Sequence, residues 1–311
     1  MKKISDIFNL KDKTISFEIF PPKTDQGKVS LEEALKEFAL LEPDFISVTY
    51  GAGGSSREKT LFIARLIQER YNIPALHHFT CVTHTKQEIS GILDHLKGLG
   101  ICNILALRGD PPQENPDWTP GPDNFRYSSE LVRLIRDDYG TFFSIGMAGF
   151  PDGHPLAPSK EFDAEVVQKK IEAGGQFVIT QLFFDPMVYI DYVKRLRANR
   201  IMLRVIPGIL PITNYESVVK FCKNCGASIP QKVHDIFAPI AGDKDKTLAA
   251  GIEFAVRQCR TLLAFGAPGL HFYTLNKLEP VSTILEKLNL RVKPVKKPLP
   301  SFKKLDGKTW G

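Results

Sequence analysis

The chain reads Thr-Ile-Ser-Phe-Glu-Ile-Phe at positions 14–20, directly before Pro21-Pro22. Its β-branched and aromatic residues predict a strand, and the two prolines end it. An amphipathic segment with apolar residues at helical spacing follows at 30–41. This strand-then-helix unit decides the fold, because the rest of the chain repeats it.

Eight strand-like runs can be placed in this way, each to within several residues. They lie at 14–20, 44–50, 75–82, 103–107, 141–146, 176–183, 202–206 and 270–275. The helical segments between them include 30–41, 57–71, 85–99, 128–139, 160–173 and 187–198. Two helix starts have the spacing of a capping box, with Ser30 before Glu33 and Thr85 before Glu88.

Eight such units in 311 residues predict an α/β protein that folds as a single (β/α)8 TIM barrel. A doubly wound sheet would usually have fewer strands and a phosphate fingerprint near its start. A further helical stretch at 231–263 is expected as an insertion between strands 7 and 8. We expect the barrel to occupy 1–290 and a basic tail rich in Pro and Lys to occupy 291–311.

The positive charge of the chain is concentrated in that tail. The formal net charge is +6, but the tail holds seven Lys and Arg with one acidic residue, which leaves 34 residues of each sign in 1–290. A body without a net basic charge is not expected to bind the nucleic-acid backbone. The sequence therefore predicts no nucleic-acid partner for the barrel.

The sequence also predicts a cytoplasmic protein. It contains no apolar run near the roughly 20 residues that a membrane span needs, and its start lacks a secretory signal. Five cysteines, an odd number, are expected as free thiols in a reducing compartment. Cys222 and Cys225 have the spacing of half a zinc site, but no second such pair follows, so packing is the favoured interpretation and no metal site is expected.

The reactive groups of such a barrel lie where the strands end, because the following loops converge there. Unusual polar residues occupy these positions: Glu18, Thr49, Tyr50, His78, Arg108, Asp110, Gln181 and Tyr273. Glu18 lies between apolar residues, and poor solvation of its carboxyl would suit a general acid. The alternative is a solvent-facing glutamate on an alternating strand.

Arg108, Gly109 and Asp110 follow the fourth strand, and the glycine allows close backbone approach beside one cation and one carboxylate. We interpret this turn as a site for a polar ring edge or a phosphate, while a local turn with its Arg and Asp paired is an equal alternative. His77 and His78 are adjacent in a strand and must face opposite sides, so one packs in the wall and the other faces the opening.

Several motifs together resemble the methylenetetrahydrofolate reductase family, over residues 14 to 290. They begin at Ser16 (SFEIFPP), Ser47 (SVTYG), His78 (HFTC), Ala106 (ALRGD), Thr180 (TQLFFD), Ile206 (IPGILP) and His271 (HFYTLN). The chain resembles the compact bacterial type, a catalytic barrel without the regulatory domain. The resemblance implies bound FAD, hydride from NADH or NADPH, and reduction of 5,10-methylenetetrahydrofolate to 5-methyltetrahydrofolate for methionine synthesis.

The resemblance also implies residue roles. Glu18 would be the acid that opens the folate ring, and Asp110 would lie near the flavin and the folate. Gln181, Phe221, Tyr273 and Lys277 would bind substrate, with Lys277 standing where enteric-type members have arginine. The implied FAD contacts are Thr49, Tyr50, Ala52, His78, Arg108, Gly109, Asp110, Tyr127, Phe150, His154, Ala157, Asp163, Lys169 and Lys170.

Two other functions remain open from the sequence. One is a flavin-free barrel lyase or aldolase, in which Arg108 and the glycine loop after the second strand, at 51–54, would hold a phosphate. The other is a nonenzymatic binding subunit that docks through the basic tail. The preference between NADH and NADPH stays open, and a homo-oligomer without a membrane partner is expected.

Overall fold

The computed structural model describes residues 2–22, 24–50, 57–112 and 114–290. Eight parallel strands close into a barrel in chain order, from β1 beside β2 round to β8 beside β1. The strands are β1 Thr14–Ile19, β2 Phe45–Val48, β3 Ala75–Thr80, β4 Asn103–Leu107, β5 Ser144–Gly149, β6 Phe177–Leu182, β7 Arg204–Ile209 and β8 Gly269–Tyr273. The predicted (β/α)8 barrel is confirmed.

The helices of the described residues surround this barrel. They are α1 Ile4–Leu10, α2 Asp25–Leu40, α3 Arg57–Tyr71, α4 Lys86–Gly98, α5 Ser128–Tyr139, α6 Lys160–Glu172, α7 Pro186–Ala198, α8 Tyr215–Cys225, α9 Gln231–Phe237, α10 Lys244–Phe265 and α11 Glu279–Lys287. The described residues contain no helix that combines the length and the hydrophobicity needed to span a bilayer. The tail at 291–311 lies outside the described residues.

Several predicted boundaries differ from the structure. The strand predicted at 202–206 runs from Arg204 to Ile209, and Pro207, which has no backbone donor, lies where the pairing of β7 with β6 shifts register between Ile179 and Leu182. The strand predicted at 141–146 begins only at Ser144, since Phe142 still donates to the Tyr139 carbonyl at the end of α5.

One of the two predicted capping boxes is wrong and the other is confirmed. The hydroxyl of Thr24 accepts from the Gly27 amide, so α2 begins before Ser30 and places it inside the helix. At α4, the Thr85 hydroxyl accepts from the Glu88 amide while the Glu88 carboxylate accepts from the Thr85 amide. Both first-turn donors are thereby satisfied.

The helical insertion predicted at 231–263 is only partly correct. Helix α10 packs against α7 and α11, as an outer helix of the barrel does. The added structure is α8, α9 and a short 3-10 turn at Ala238–Ile240, whose Val218, Val233 and Phe237 form a small apolar core with residues of the barrel and of α10. The sequence alone could not separate these elements, because both α9 and α10 show helical periodicity.

The interior of the barrel is apolar in its lower part, at the amino-terminal ends of the strands, and polar in its upper part, at their carboxyl ends. Helix α1 covers the amino-terminal end, where Ile4, Ile7 and Phe8 pack on the inward-facing Phe45 and Phe177. The remaining core lies between the outer faces of the strands and the helices. Because α1 and its apolar contacts close the lower end, polar side chains that point inward are reachable only from the carboxyl ends of the strands.

Helix α10 lies close to the loop after β7, at Gly251 and Ile212. A Cβ on Gly251 would lie 1.8 Å from the Ile212 carbonyl oxygen, whereas a Cβ on Gly91 of α4 would meet nothing within 4 Å. Gly251→Ala is therefore expected to destabilise the protein by about 1–3 kcal/mol or more through overpacking. Gly91→Ala, the matched control, should stabilise it by about 0.5–1 kcal/mol. Urea unfolding measures both, and equal effects of the two substitutions would contradict the close approach.

Candidate active site

A buried carboxylate occupies the upper interior of the barrel. The side chain of Glu18, in β1, belongs to a residue only 5% exposed. Its Oε2 lies 3.4 Å from His78 Nε2 and 3.6 Å from His271 Nε2. The Ser47 hydroxyl donates to the same oxygen at 3.4 Å, and Ser16 Oγ lies 2.8 Å from His271 Nδ1. The poorly solvated position expected for Glu18 is confirmed.

Burial controls the protonation of His78. Desolvation lowers the pKa of His78, and the nearby Glu18 carboxylate opposes this only in part. The His78 ring nitrogen lies near Glu18 but makes no hydrogen bond of normal geometry to it. A neutral His78 near pH 7 is the consequence, so Glu18 has a polar neighbour rather than a full counter-charge.

Sequence reasoning found Glu18 and His78 but missed Ser16, Ser47 and His271. The register pairs Ser16 with His271 and Glu18 with both Ser47 and Tyr273, which places these side chains on one inner face. The two-residue alternation along β1 and β8 was the available signal. Only the pairing between distant strands shows that the side chains meet.

Tyr273 and Gln181 lie at the same end of the barrel as Glu18. The Tyr273 hydroxyl donates to the Thr180 carbonyl at 2.7 Å, and its ring meets the His271 ring edge-on at 5.6 Å. Burial, followed by the Glu18 charge, raises the pKa of Tyr273, so the phenol stays protonated. Gln181 is half-buried, and its Oε1 accepts from the Leu182 amide at 3.0 Å.

The turn after β4 has the geometry that its glycine allows. Gly109 has φ +85°, and a Cβ there would lie 2.6 Å from Val82 Cγ1. Arg108 Nε donates to the Gly109 carbonyl at 3.2 Å. Within the described residues no ion pair joins Arg108 to Asp110, so the alternative of a local Arg–Asp pair is wrong.

Two cations and a histidine ring interact electrostatically beside this turn. Burial lowers the pKa of His154, and the positive charges of Arg108 and Lys170 lower it further, while Asp110 acts in the opposite direction. The four groups are therefore close enough to interact. Lys170 is buried and donates from Nζ to the Ala148 carbonyl at 3.3 Å. Lys169, one residue before it on α6, is exposed.

Asp163 lies on the same helix as Lys170 and is also buried. Burial raises its pKa to about 6, against the lowering effect of Lys170 and Arg195. Its Oδ2 has no hydrogen-bond partner among the described residues. A buried carboxylate oxygen without a partner is costly in a folded protein, and a bound hydroxyl group would relieve that cost.

One protein-family model matches almost the whole of the described chain. A family model described as methylenetetrahydrofolate reductase matches residues 3–289. The chain belongs to this family.

Two relatives show how far the methylenetetrahydrofolate reductase likeness extends. The chain is 34% identical over 279 residues to 5,10-methylenetetrahydrofolate reductase of Pectobacterium carotovorum, covering 89% of this chain and 90% of that protein. It is 38% identical over 280 residues to methylenetetrahydrofolate reductase 1 of Schizosaccharomyces pombe, covering 89% of this chain but 46% of the yeast protein. The chain thus spans about half the length of the yeast relative.

A solved structure shows the same fold at low identity. It is an uncharacterized protein from Clostridium thermocellum, described as binding two copies of 5-methyl-5,6,7,8-tetrahydrofolic acid. The TM-score is 0.63 at 15% identity, over 92% of this chain and 97% of that one. At this identity the likeness supports the barrel architecture.

The other residues implied by the methylenetetrahydrofolate reductase resemblance fall at several depths around the opening. Phe150 packs edge-on against His154 with ring centroids 4.5 Å apart, and the Ala157 amide donates to the His154 carbonyl. Thr49 and Tyr50, directly after β2, are half-buried, whereas Tyr127 at the start of α5 is 64% exposed. Phe221 on α8 is 37% exposed and Lys277 is exposed, while Ala52 lies outside the described residues.

The two cysteines on α8 lie at the small core between α8, α9 and the barrel. Cys222 is buried in that core, and Cys225 packs at its edge. The packing role predicted for this pair agrees with these positions. No three His, Cys, Asp or Glu residues form a group that could hold a metal ion in the part of the chain that the structure describes.

His77 in this methylenetetrahydrofolate reductase barrel lies in the wall, as predicted. It packs near the rings of Tyr50 and Phe79, and neither ring nitrogen has a hydrogen-bond partner within the described residues. Burial, with a smaller contribution from His78, lowers its pKa from 6.5 to about 3.

His77 is therefore expected to make the fold sensitive to acid. Below about pH 6.5 His77 binds a proton in the unfolded chain but stays neutral in the folded protein. The free energy of unfolding therefore falls as the pH falls towards 3, by at most about 1.4 kcal/mol per pH unit. His77→Leu should remove this part of the slope. Urea unfolding of both proteins at about pH 7 and about pH 5 measures the difference. Identical losses in wild type and variant would show that His77 does not titrate in this way.

Proposed function

We propose that the chain reduces 5,10-methylenetetrahydrofolate to 5-methyltetrahydrofolate with NADH or NADPH, using bound FAD. The observation that carries this proposal is the buried Glu18, held beside His78 and His271 at the carboxyl end of the barrel. Membership of the methylenetetrahydrofolate reductase family over residues 3–289 supports it. The product would supply methyl groups for methionine synthesis.

Glu18 would act as the general acid that opens the folate ring. His78, His271 and Ser47 all approach Oε2, which leaves Oε1 as the atom that would carry the proton to the substrate. Opening gives a cationic iminium, and the exposed carboxylate of Asp110 would stabilise it electrostatically. General-acid assistance of this type contributes about 10² to 10⁴ in rate.

The FAD site would lie beside Arg108, His154 and Lys170. The two cations, Arg108 and Lys170, fit a diphosphate, the neutral His154 ring could donate a hydrogen bond to it, and the unpartnered Oδ2 of Asp163 fits a hydroxyl donor. Gly109, which has no room for a Cβ, would let the backbone approach the ring system. When bound, FAD supplies the redox chemistry, taking hydride from reduced nicotinamide and giving it to the folate. Thr49, Tyr50, Ala52, His78, Asp110, Tyr127, Phe150, Ala157 and Lys169 complete the proposed contacts.

The folate and the nicotinamide would use one surface in turn. Gln181 would bind the pterin, while the rings of Phe221 and Tyr273 would stack on the flat substrates. Lys277 would provide a positive charge on the folate side, without the planar fork of an arginine. One shared stacking surface implies ping-pong kinetics, because the first product must leave before the second substrate binds.

Anaerobic mixing tests this function directly. The purified protein should show a flavin absorbance band, which reduced nicotinamide bleaches and methylenetetrahydrofolate then restores. A colourless protein that gains no band with added FAD would favour the flavin-free lyase instead. A bleached flavin that folate does not reoxidise, together with a copurifying protein, would favour a binding subunit.

Cellular context and assembly belong to the same proposal. The five cysteines are free thiols, which supports the expected reducing, cytoplasmic environment. The expected homo-oligomer stays a prediction, and sedimentation of the purified protein tests it.

A further inference from the structure

The loop after β8 continues the pairing between β8 and β1 beyond the last strand residues. The backbone register ends with Glu18 opposite Tyr273. Thr274 then donates to the Glu18 carbonyl from its hydroxyl at 2.6 Å and from its amide at 3.3 Å. Thr274 is 3% exposed, so this double contact lies within the protein.

Asn276 adds two hydrogen bonds further along β1. Its Oδ1 accepts from the Phe20 amide at 2.9 Å, and its Nδ2 donates to the Phe20 carbonyl at 2.9 Å. One side-chain amide thus satisfies both backbone groups of a single residue, as a neighbouring strand would. Pro21 and Pro22 follow and have no backbone N–H to offer. Phe20 is therefore the last donor of this strand end before the prolines.

The backbone of the loop is shaped to make these bonds. Leu275 has φ 49° and Asn276 has φ 60°, both in the left-handed region, which asparagine tolerates and leucine does not favour. The turn is held by the Lys277 amide donating to the Thr274 carbonyl at 2.9 Å and by the Asn276 amide donating to the Thr274 hydroxyl at 3.1 Å. The strained Leu275 is itself exposed, so its own packing does not explain the strain, which indicates that the position of Asn276 matters.

We propose that Asn276 is a positioning residue for Glu18, acting through the backbone of Phe20. Bonds to residues 18 and 20 fix β1 on both sides of Ile19, so the Glu18 side chain keeps its direction towards His78 and His271. This inference rests on the proposed function of Glu18 as the acid. It assigns to the β8–α11 loop a role in catalysis that is separate from any substrate contact of Lys277.

The test compares two asparagines with the same backbone geometry. Asn276→Gly keeps the left-handed conformation but removes both side-chain bonds, whereas Asn72→Gly makes the same change at an exposed residue with φ 54° after α3. Hydrogen–deuterium exchange of the apoprotein should show faster exchange of the Phe20 amide in Asn276→Gly only. This readout needs neither flavin nor folate.

The half-reactions then separate a positioning role from a structural one. In Asn276→Gly, the rate of flavin reoxidation by folate at saturation should fall by about 10- to 100-fold, as for a displacement of up to about 1 Å at the reacting group. Bleaching by reduced nicotinamide and the KM for folate should stay as in wild type. Equal loss in both half-reactions would indicate a merely structural role, and a raised KM alone would indicate an effect through Lys277; either result overturns the proposal.

Failure of the inference can be told apart from failure of the proposed function. If wild type reoxidises its flavin with folate and Asn276→Gly does so equally fast, only the role of Asn276 is lost. If wild type itself never reoxidises its flavin with folate, the proposed function is lost and the role of Asn276 with it. An unchanged Phe20 exchange rate would overturn the inference at its first step.

Discussion

Replacing Glu18 with glutamine is expected to slow folate reduction by about 10² to 10⁴, the usual contribution of a general acid, while reduced nicotinamide still bleaches the flavin. Glutamine has nearly the shape of glutamate, so it keeps the contacts of Oε2 with Ser47 and the two histidines. The amide nitrogen that replaces Oε1 is not acidic enough to supply the proton. The chemistry of the folate half-reaction should therefore be lost without loss of the fold.

Single-turnover absorbance measurements of the two half-reactions measure this effect. Glu286→Gln, an exposed glutamate on α11, is the matched control and should leave both rates unchanged. Equal slowing of both half-reactions in Glu18→Gln would assign Glu18 to flavin binding or to the fold rather than to proton transfer. A variant with full folate activity would remove Glu18 from the mechanism altogether.

Replacing Lys170 with methionine should weaken FAD binding by about 30-fold or more. Truncating one partner of a buried charged contact costs about 2–5 kcal/mol, and every 1.4 kcal/mol is a factor of ten in Kd. Lys170 is buried at 8% exposure and acts electrostatically on the His154 ring together with Arg108, at a position where water cannot replace the lost charge. Methionine keeps most of the apolar stem, so packing should be largely retained.

Lys194→Met, at an exposed position on α7 outside the proposed cofactor contacts, provides a matched control. Its charge is screened by solvent, so we expect a much smaller change in FAD affinity. Flavin fluorescence quenching gives both dissociation constants. The Tm of each apoprotein shows whether the buried Asp163, which loses a favourable neighbour in Lys170→Met, has destabilised the fold. Equal weakening by the two substitutions would contradict a cofactor site at Lys170.

The local sequence determined the elements of this protein. Apolar residues recur every two residues in the strands and every 3.6 residues in the helices. This periodicity depends only on nearby residues in the chain, so all eight strands could be placed. The α4 capping box is equally local. The tight turn at Gly109 and the opposite orientations of His77 and His78 could also be predicted from one or two neighbouring residues.

The tertiary structure decided which side chains meet. Ser16 and His271 are 255 positions apart, and only closure of the barrel between β1 and β8 brings their side chains to 2.8 Å. The burial of Lys170 depends on how α6 packs over β5, and the status of α10 as an outer helix depends on α7 and α11. Periodicity shows which face of an element is apolar, but the strand register and helix packing that choose its partners arise only when the whole barrel closes.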